Sequence, residues 1–460
     1  MAKDLRSFIE VLERENQIVR VKKPVEPQNQ LSALTWQALP DKAILFESLP
    51  GFSQWQAAAG IIESRARMAL ALGVTPQEVL PEYSRRARES LIPYEKVSTG
   101  PVKEVVCKGS EVDLRKLPIM KPCERDAGPY LTFSETICRD PDSGIYNTAI
   151  LRIQIKTANK TGIYCVPGKH TWEIYRKYER MNQSMPVAIV IGHHPGFHLA
   201  GTWAGPIELD EFELAGKFIG EPLRVVPAET VDLLVPADAE AIIEGEVPPG
   251  IREEEGPMAE WTGYYPAIYN EPIVNVKAIT TRRAPIYELD WTGHIGVCTA
   301  LGIESYLYNR IKEVEGYIDL KDVHILPEVG HFTIIVQFTP QYEGQAKNVL
   351  MAALSGATIH AKIAIAVDED VDIYNPGDVM WAVSNRTHPA RDFFIIDHTR
   401  NHPFDIKLPL DKTGTVPVRV GSKVGIDATK PPTTKPEKRR AFDRARPVGW
   451  DKVKLSDFIS

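Results

Sequence analysis

The chain reads as a multidomain protein of mixed α+β and α/β class, and three observations carry that reading. Amphipathic helices mix with strands over the first hundred residues, short β-branched runs crowd the middle, and a strand–helix–strand alternation follows. They divide the chain into an N-terminal α+β region over 1–105, a strand-rich barrel-like or sandwich-like region over 106–305, and a C-terminal α/β region over 306–460. With 460 residues, 43% of them hydrophobic, the chain has enough apolar mass for several cores.

The elements follow in order. Asp4 is placed to cap an amphipathic helix over Leu5–Asn16, followed by a strand over Ile18–Val25 and helices over Arg65–Leu72 and Pro76–Ser90. Ser98–Pro122 reads as a connector into the second region. There the spacing predicts strands over Ala149–Lys156, Pro186–Gly192, Thr230–Val235, Ala239–Val247 and Ile273–Thr280, each bounded by Gly, Pro or Asp. Two helices interrupt them: Trp172–Met181 just after His170, and Glu211–Ile219 behind the cap residue Asp210. A helix over Cys298–Val314 leads into strand His331–Phe338, helix Ala346–Leu354 and strand Lys362–Val367, which calls for a parallel sheet.

Composition narrows the function. A net charge of -7 argues against general binding of nucleic acid or anionic membrane, so small molecules are the expected partners. No run approaches the roughly 20 apolar residues of a membrane span, and the opening Met-Ala-Lys-Asp-Leu-Arg lacks an apolar signal core, so a cytoplasmic enzyme is expected. Cys107, Cys123, Cys138, Cys165 and Cys298 form no Cys-x-x-Cys pair and read as buried thiols rather than disulfides or a zinc site. No Gly-x-Gly-x-x-Gly or phosphate-binding P-loop run opens a helix, which weakens dinucleotide-dependent readings.

Two constellations carry chemistry. Arg152 is a permanent cation, and Glu255 and Glu260 flank Gly256-Pro257. In a regular strand a separation of five would point the glutamates to opposite faces, but a Gly-Pro turn can aim both at one cavity. One glutamate can then stay ionised beside the arginine while the other, less solvated, keeps a proton. Asn147, His170 and Glu211 supply an amide oxygen, an imidazole and a carboxylate, a set suited to manganese or magnesium assisting a phosphate. Spacing alone is weak support: a histidine before a helix is more often a surface or capping residue, and the helix dipole explains Glu211 in a first turn. His193-His194 before Pro195 is a rival pair that reads as a polar turn.

Several stretches together carry a resemblance: Asp126-Ala-Gly-Pro-Tyr130, Asp140 through Arg152, Glu211-Phe-Glu-Leu-Ala-Gly216, Val235 through Glu240 with Glu244-Gly-Glu, Glu255 through Tyr265, Val367 through Val371, and Gly421 through Thr429. In order and spacing these resemble the UbiD family of decarboxylases. The resemblance implies a central split-β-barrel-like domain binding prenylated FMN, with Mn2+ or Mg2+ on the cofactor's phosphate and K+ nearby. It places Asn147, His170 and Glu211 as metal ligands; Ile150, Leu151, Arg152 and Lys169 along the flavin; and Lys362 at the phosphate. It also implies that Arg152 grips a substrate carboxylate and orients Glu255, while Glu260 delivers the proton that replaces carbon dioxide.

Two segments depart from the family pattern. Met258-Ala259 stands where an aromatic residue and glycine are common, and Tyr287 through Cys298 lacks the usual Gly/Pro turn, so His294 is a candidate for the substrate pocket or a plain turn residue. The leading expectation is decarboxylation of an aromatic, heteroaromatic or α,β-unsaturated acid. Carboxylation of an electron-rich ring is the same chemistry reversed, and an ordinary-flavin oxidoreductase is the reading from another class. A flavin prenyltransferase is the expected cofactor supplier. The mixed-charge run Lys435–Arg446 and the amphipathic end Val448–Ile459 are expected to serve a homodimer or higher homo-oligomer through the C-terminal region.

Overall fold

The computed structural model describes residues 2–291, 296–355, 359–411 and 418–458. His294 lies outside the described residues. Within them the fold is mixed α+β, and four sheets organise it.

The N-terminal unit is opened by helix Leu5–Arg14, whose cap Asp4 accepts from the backbone N–H of Ser7. Its sheet runs Ile18–Val21, Ala43–Phe46, Gln56–Ala59 and then Ile286–Leu289. The fourth strand comes from far along the chain, so this unit and the central one are tied together through 286–289. Three of the helices sit close to expectation: Arg65–Leu72, Glu211–Ile219 and Gly296–Val314.

The central sheet has ten strands and is largely antiparallel. Its order is Tyr130–Leu131, Ile153–Thr157, Lys160–Ile163, Tyr269–Thr281, Ala241–Val247, Met185–Ile191, Glu135–Arg139 and Tyr146–Ile150, with Val105–Lys108 and Arg252–Glu255 also on the long strand 269–281. The two ends of this path are not paired with each other, so the sheet is open and no closed barrel is seen. The expected connector 98–122 is partly sheet, since Val105–Lys108 pairs with 278–281.

The single strand expected over Ala149–Lys156 is two strands. Up to Ile150 the chain pairs with 135–139, and from Ile153 it pairs with 130–131 and 160–163. Leu151 and Arg152 fall between, where the partner strand changes. The periodicity of the run is strand-like throughout, but a change of partner is a tertiary event that local pattern does not carry. The corner so formed carries Arg152.

The C-terminal sheet has the order Asp319–Ile325, Thr333–Thr339, Ile363–Val367, Val418–Ala428 and Phe393–Asn401, with Leu410–Asp411 on 418–428. The pairs 333–339/363–367 and 363–367/418–428 are parallel, as the strand–helix–strand pattern requires, and both edge strands run antiparallel. No described helix is long and apolar enough to cross a membrane.

Candidate active site

A cavity of about 330 Å3 opens where the central sheet turns its corner, beneath residues of the C-terminal unit. Asn147, Ile150, Leu151, Arg152, Lys169, His170, Glu211 and Glu260 all line it. Segments more than a hundred residues apart are thereby brought to one wall.

Arg152 lies between the two glutamates. Its Nε donates to Glu255 Oε1 at 3.1 Å, Nη2 donates to Glu255 Oε2, and Nη1 donates to Glu260 Oε1. The guanidinium also lies over the Tyr164 ring, 4.1 Å from its centroid. All three charged side chains are buried, Glu255 completely. Gly256 takes φ 98°, a region open to glycine, and the turn there lets both carboxylates reach one arginine. Glu255 holds Arg152 from behind and does not line the cavity, whereas Glu260 does.

The two carboxylates are therefore unequal in place. Burial pushes the Glu260 carboxyl up to about 7, against the lowering effect of Arg152. Near neutral pH Glu260 can hold or release a proton at the cavity wall. Its neighbours Glu255 and Asp126 add to the upward push.

At the other end of strand 146–150 the second constellation forms. Glu211 is the first residue of helix Glu211–Ile219, so capping by Asp210 fixes its backbone while its side chain turns inward. Its Oε2 accepts from Asn147 Nδ2 at 2.7 Å and from the Thr148 N–H, and its Oε1 is 3.3 Å from His170 Nδ1. His170 Nε2 lies 3.1 Å from the Gly205 carbonyl, and Thr171 Oγ1 donates to Asn147 Oδ1 at 2.9 Å. Burial raises the Glu211 carboxyl to about 6, with His170 opposing. Among the described residues no group of three or more His, Cys, Asp or Glu side chains is spaced to hold a metal, so this cluster offers two such groups and an amide.

Lys169 is a cavity cation with no ion-pair partner among the described residues, and burial lowers its pKa. Lys362 is elsewhere. Its Nζ pairs with Asp405 Oδ2 at 2.7 Å and lies 5.7 Å from the centroid of the Phe332 ring, and it does not line the cavity. The pair His193-His194 is also remote: His194 Nδ1 caps helix Pro195–Ala200 by accepting from the Gly196 N–H. Met258, at one of the departures from the family pattern, does line the cavity.

Sequence reasoning passed over the roof. Trp261, His360, His402 and Phe404 line the cavity, with His402 5.1 Å from Trp261 and 4.6 Å from His360 between ring centroids. Burial drives both imidazoles well below their usual pKa, which keeps them neutral. Their only sequence signal was Trp261 directly after Glu260. Three further rings come from a different unit of the chain.

Comparison with known proteins supplies the family and the fold. Three family models cover the chain: the N-terminal domain of 3-octaprenyl-4-hydroxybenzoate carboxy-lyase over residues 9–87, its Rift-related domain over 95–294, and its C-terminal domain over 298–428. A phenolic acid decarboxylase of Bacillus subtilis is 34% identical, with 99% of each chain covered. The structure of the UbiD-class enzyme HmfF from Pelotomaculum thermopropionicum in complex with FMN superposes with a TM-score of 0.90 at 34% identity, covering 99% of this chain and 100% of that one. An evolved dimeric form of the same enzyme in complex with prFMN gives 0.87 at 32% identity, with 100% of each chain covered.

Proposed function

The chain belongs to the UbiD family of carboxy-lyases, and from that membership we propose that it is a non-oxidative decarboxylase of an aromatic, heteroaromatic or α,β-unsaturated carboxylic acid that works with prenylated FMN. The observation that carries the reading is the cavity wall on which Arg152 is fixed by Glu255 and joined to Glu260. Relatives bound to FMN and prFMN support the cofactor, and the phenolic acid decarboxylase supports the reaction.

The cavity suits a flavin nucleotide. Ile150, Leu151, Val166, Ile303 and Phe404 give it apolar walls, and Lys169 offers a charge with no carboxylate partner among the described residues. Asn147, His170 and Glu211 would hold Mn2+ or Mg2+ against the phosphate, with K+ nearby; the raised Glu211 carboxyl is a buried acid that a bound cation would keep ionised. Ile150, Leu151 and Lys169 would lie along the flavin. When bound, prenylated FMN supplies a sink for the electron pair left as carbon dioxide departs.

The protein's own part is placement and protonation. Three of the five guanidinium N–H groups of Arg152 are engaged by the glutamates, which leaves two to orient the acid's carboxylate. Glu255 keeps that fork rigid. Glu260, protonated near neutral pH, donates the proton that takes the place of carbon dioxide, and takes another from solvent for the next turnover. Apolar walls favour release of a neutral gas.

The free thiols Cys107, Cys123, Cys138, Cys165 and Cys298 fit a cytoplasmic protein, and a flavin prenyltransferase would supply its cofactor. The open central sheet would serve as a split-barrel-like flavin domain over 106–305, between the regions 1–105 and 306–460. Exposed Val448, Trp450, Val453, Leu455 and Phe458 support a homodimer or higher homo-oligomer built through the C-terminal region. The test is release of carbon dioxide from a panel of phenolic, heteroaryl and cinnamate-type acids by protein loaded with prenylated FMN, without nicotinamide. Turnover that requires NADH would overturn the reading in favour of an ordinary-flavin oxidoreductase.

A further inference from the structure

The loop that carries Glu260 is held on one side by a buried carboxylate that the mechanism above does not use. Asp126 is 3% exposed and sits in the segment leading to strand Tyr130–Leu131. Its Oδ1 accepts from the Ala259 N–H at 2.7 Å and its Oδ2 from the Cys123 N–H at 2.7 Å. The adjacent Ala127 N–H donates to the Pro257 carbonyl at 2.8 Å, and the Arg125 N–H donates to the Tyr265 hydroxyl at 3.1 Å. Arg125 also lies 4.6 Å above the Tyr265 ring. The segment 123–127 therefore grips the loop 257–265 at both ends.

Glu260 lies inside that grip. Downstream, its N–H donates to the Tyr264 carbonyl at 3.0 Å and the Gly263 N–H donates to its own carbonyl at 2.8 Å, a tight turn of the loop's own making. Upstream, Ala259 is bound through Asp126 and Pro257 through Ala127. Asp126 is a short acceptor with both oxygens filled by backbone donors, so a buried carboxylate adds to the neutral backbone bonds that hold the loop.

We propose that Asp126 is a positioning residue for decarboxylation: by holding the Ala259 backbone it sets where the Glu260 carboxyl meets Arg152 and the cavity. This rests on the reading of Glu260 as the proton donor. The titratable and charged groups that face Asp126 are Lys121, Cys123, Tyr130, Arg152, Glu260 and Tyr265. Lys121 and Arg152 oppose its charge, and burial raises its carboxyl to about 6, so it is ionised at neutral pH while its field lifts the Glu260 carboxyl. A misplacement of about 1 Å in a catalytic group can lower turnover on the order of 100-fold.

The experiment uses Asp126→Ala and the milder Asp126→Asn in the full chain, with two readings. The first is kcat and KM across pH in protein loaded with prenylated FMN. The second is a 13C titration of the Glu260 carboxyl in the protein without acid, assigned by its loss in Glu260→Gln. The expected result is a kcat reduced about 10- to 100-fold with KM within about twofold, together with a Glu260 titration moved to lower pH in both variants. A fall in melting temperature and kcat with the Glu260 titration unmoved would overturn the proposal and leave Asp126 as a fold contact only. Unchanged kcat and titration would also overturn it. Should Glu260→Gln keep full turnover, the donor reading fails by itself, and the carboxyl titration still decides whether Asp126 sets the state of Glu260.

Discussion

The two ends of strand Tyr146–Ile150 make an instructive pair. At one end Arg152, Glu255 and Glu260 form a set whose charges are largely met within the protein, with the arginine driven even further toward its charged form by two buried carboxylates. At the other end Asn147, His170 and Glu211 form a set with no permanent cation, and its carboxylate is pushed up by burial. The first set meets its charges within itself; the second, with its raised carboxyl, fits the cation proposed for it. In the proposed reading the first set is the proton-transfer wall and the second the seat for a phosphate-bound ion, one on either side of strand Tyr146–Ile150.

The sharpest way to break the first set is Arg152→Ala. It leaves two buried carboxylates without their cation, and removal of one partner from a buried ion pair costs on the order of 3–5 kcal/mol. We expect loss of measurable turnover and a lower melting temperature, both read on the same preparation. Turnover within tenfold of the parent would show that the guanidinium does not orient the acid.

Next in size, Glu260→Gln keeps the shape of the wall and removes its proton. Turnover should fall by roughly 100- to 10,000-fold while flavin absorbance stays. Full activity in that variant assigns the proton to another group.

The second set is probed by His170→Ala and Glu211→Ala. Each should lower bound metal and bound flavin together, by at least roughly tenfold in metal affinity, measured by metal analysis and absorbance of the same sample. Normal flavin content in a metal-free variant would separate the ion from the cofactor.

The mildest probe is pH. Glu260 must carry its proton to act as donor and is pushed up to about 7, so turnover should hold below that pH and fall about tenfold per unit well above it. The sign for stability is the same. A carboxyl raised on folding binds its proton more tightly in the native state, so its contribution is full below about 4.5 and is lost as pH rises through about 7. A profile whose falling limb is unmoved in Glu260→Gln belongs to a different acid.

The sequence by itself determined the helices with strong caps, such as Leu5–Arg14 behind Asp4 and Glu211–Ile219 behind Asp210, because those signals lie within one turn of the element they start. It also made the turn at Gly256-Pro257 legible, but not that Glu260 would line the cavity while Glu255 holds Arg152 from behind. The tertiary structure alone decided that strand pairing changes partner at Leu151–Arg152, that Ile286–Leu289 completes the N-terminal sheet, and that Asp126 anchors Ala259. It alone placed Lys362 against Asp405 and brought His360 and His402 over Trp261. Each of those depends on which distant segment supplies a hydrogen-bond or packing partner, and a choice among distant partners is made by the free energy of the whole fold rather than by any stretch of neighbouring residues.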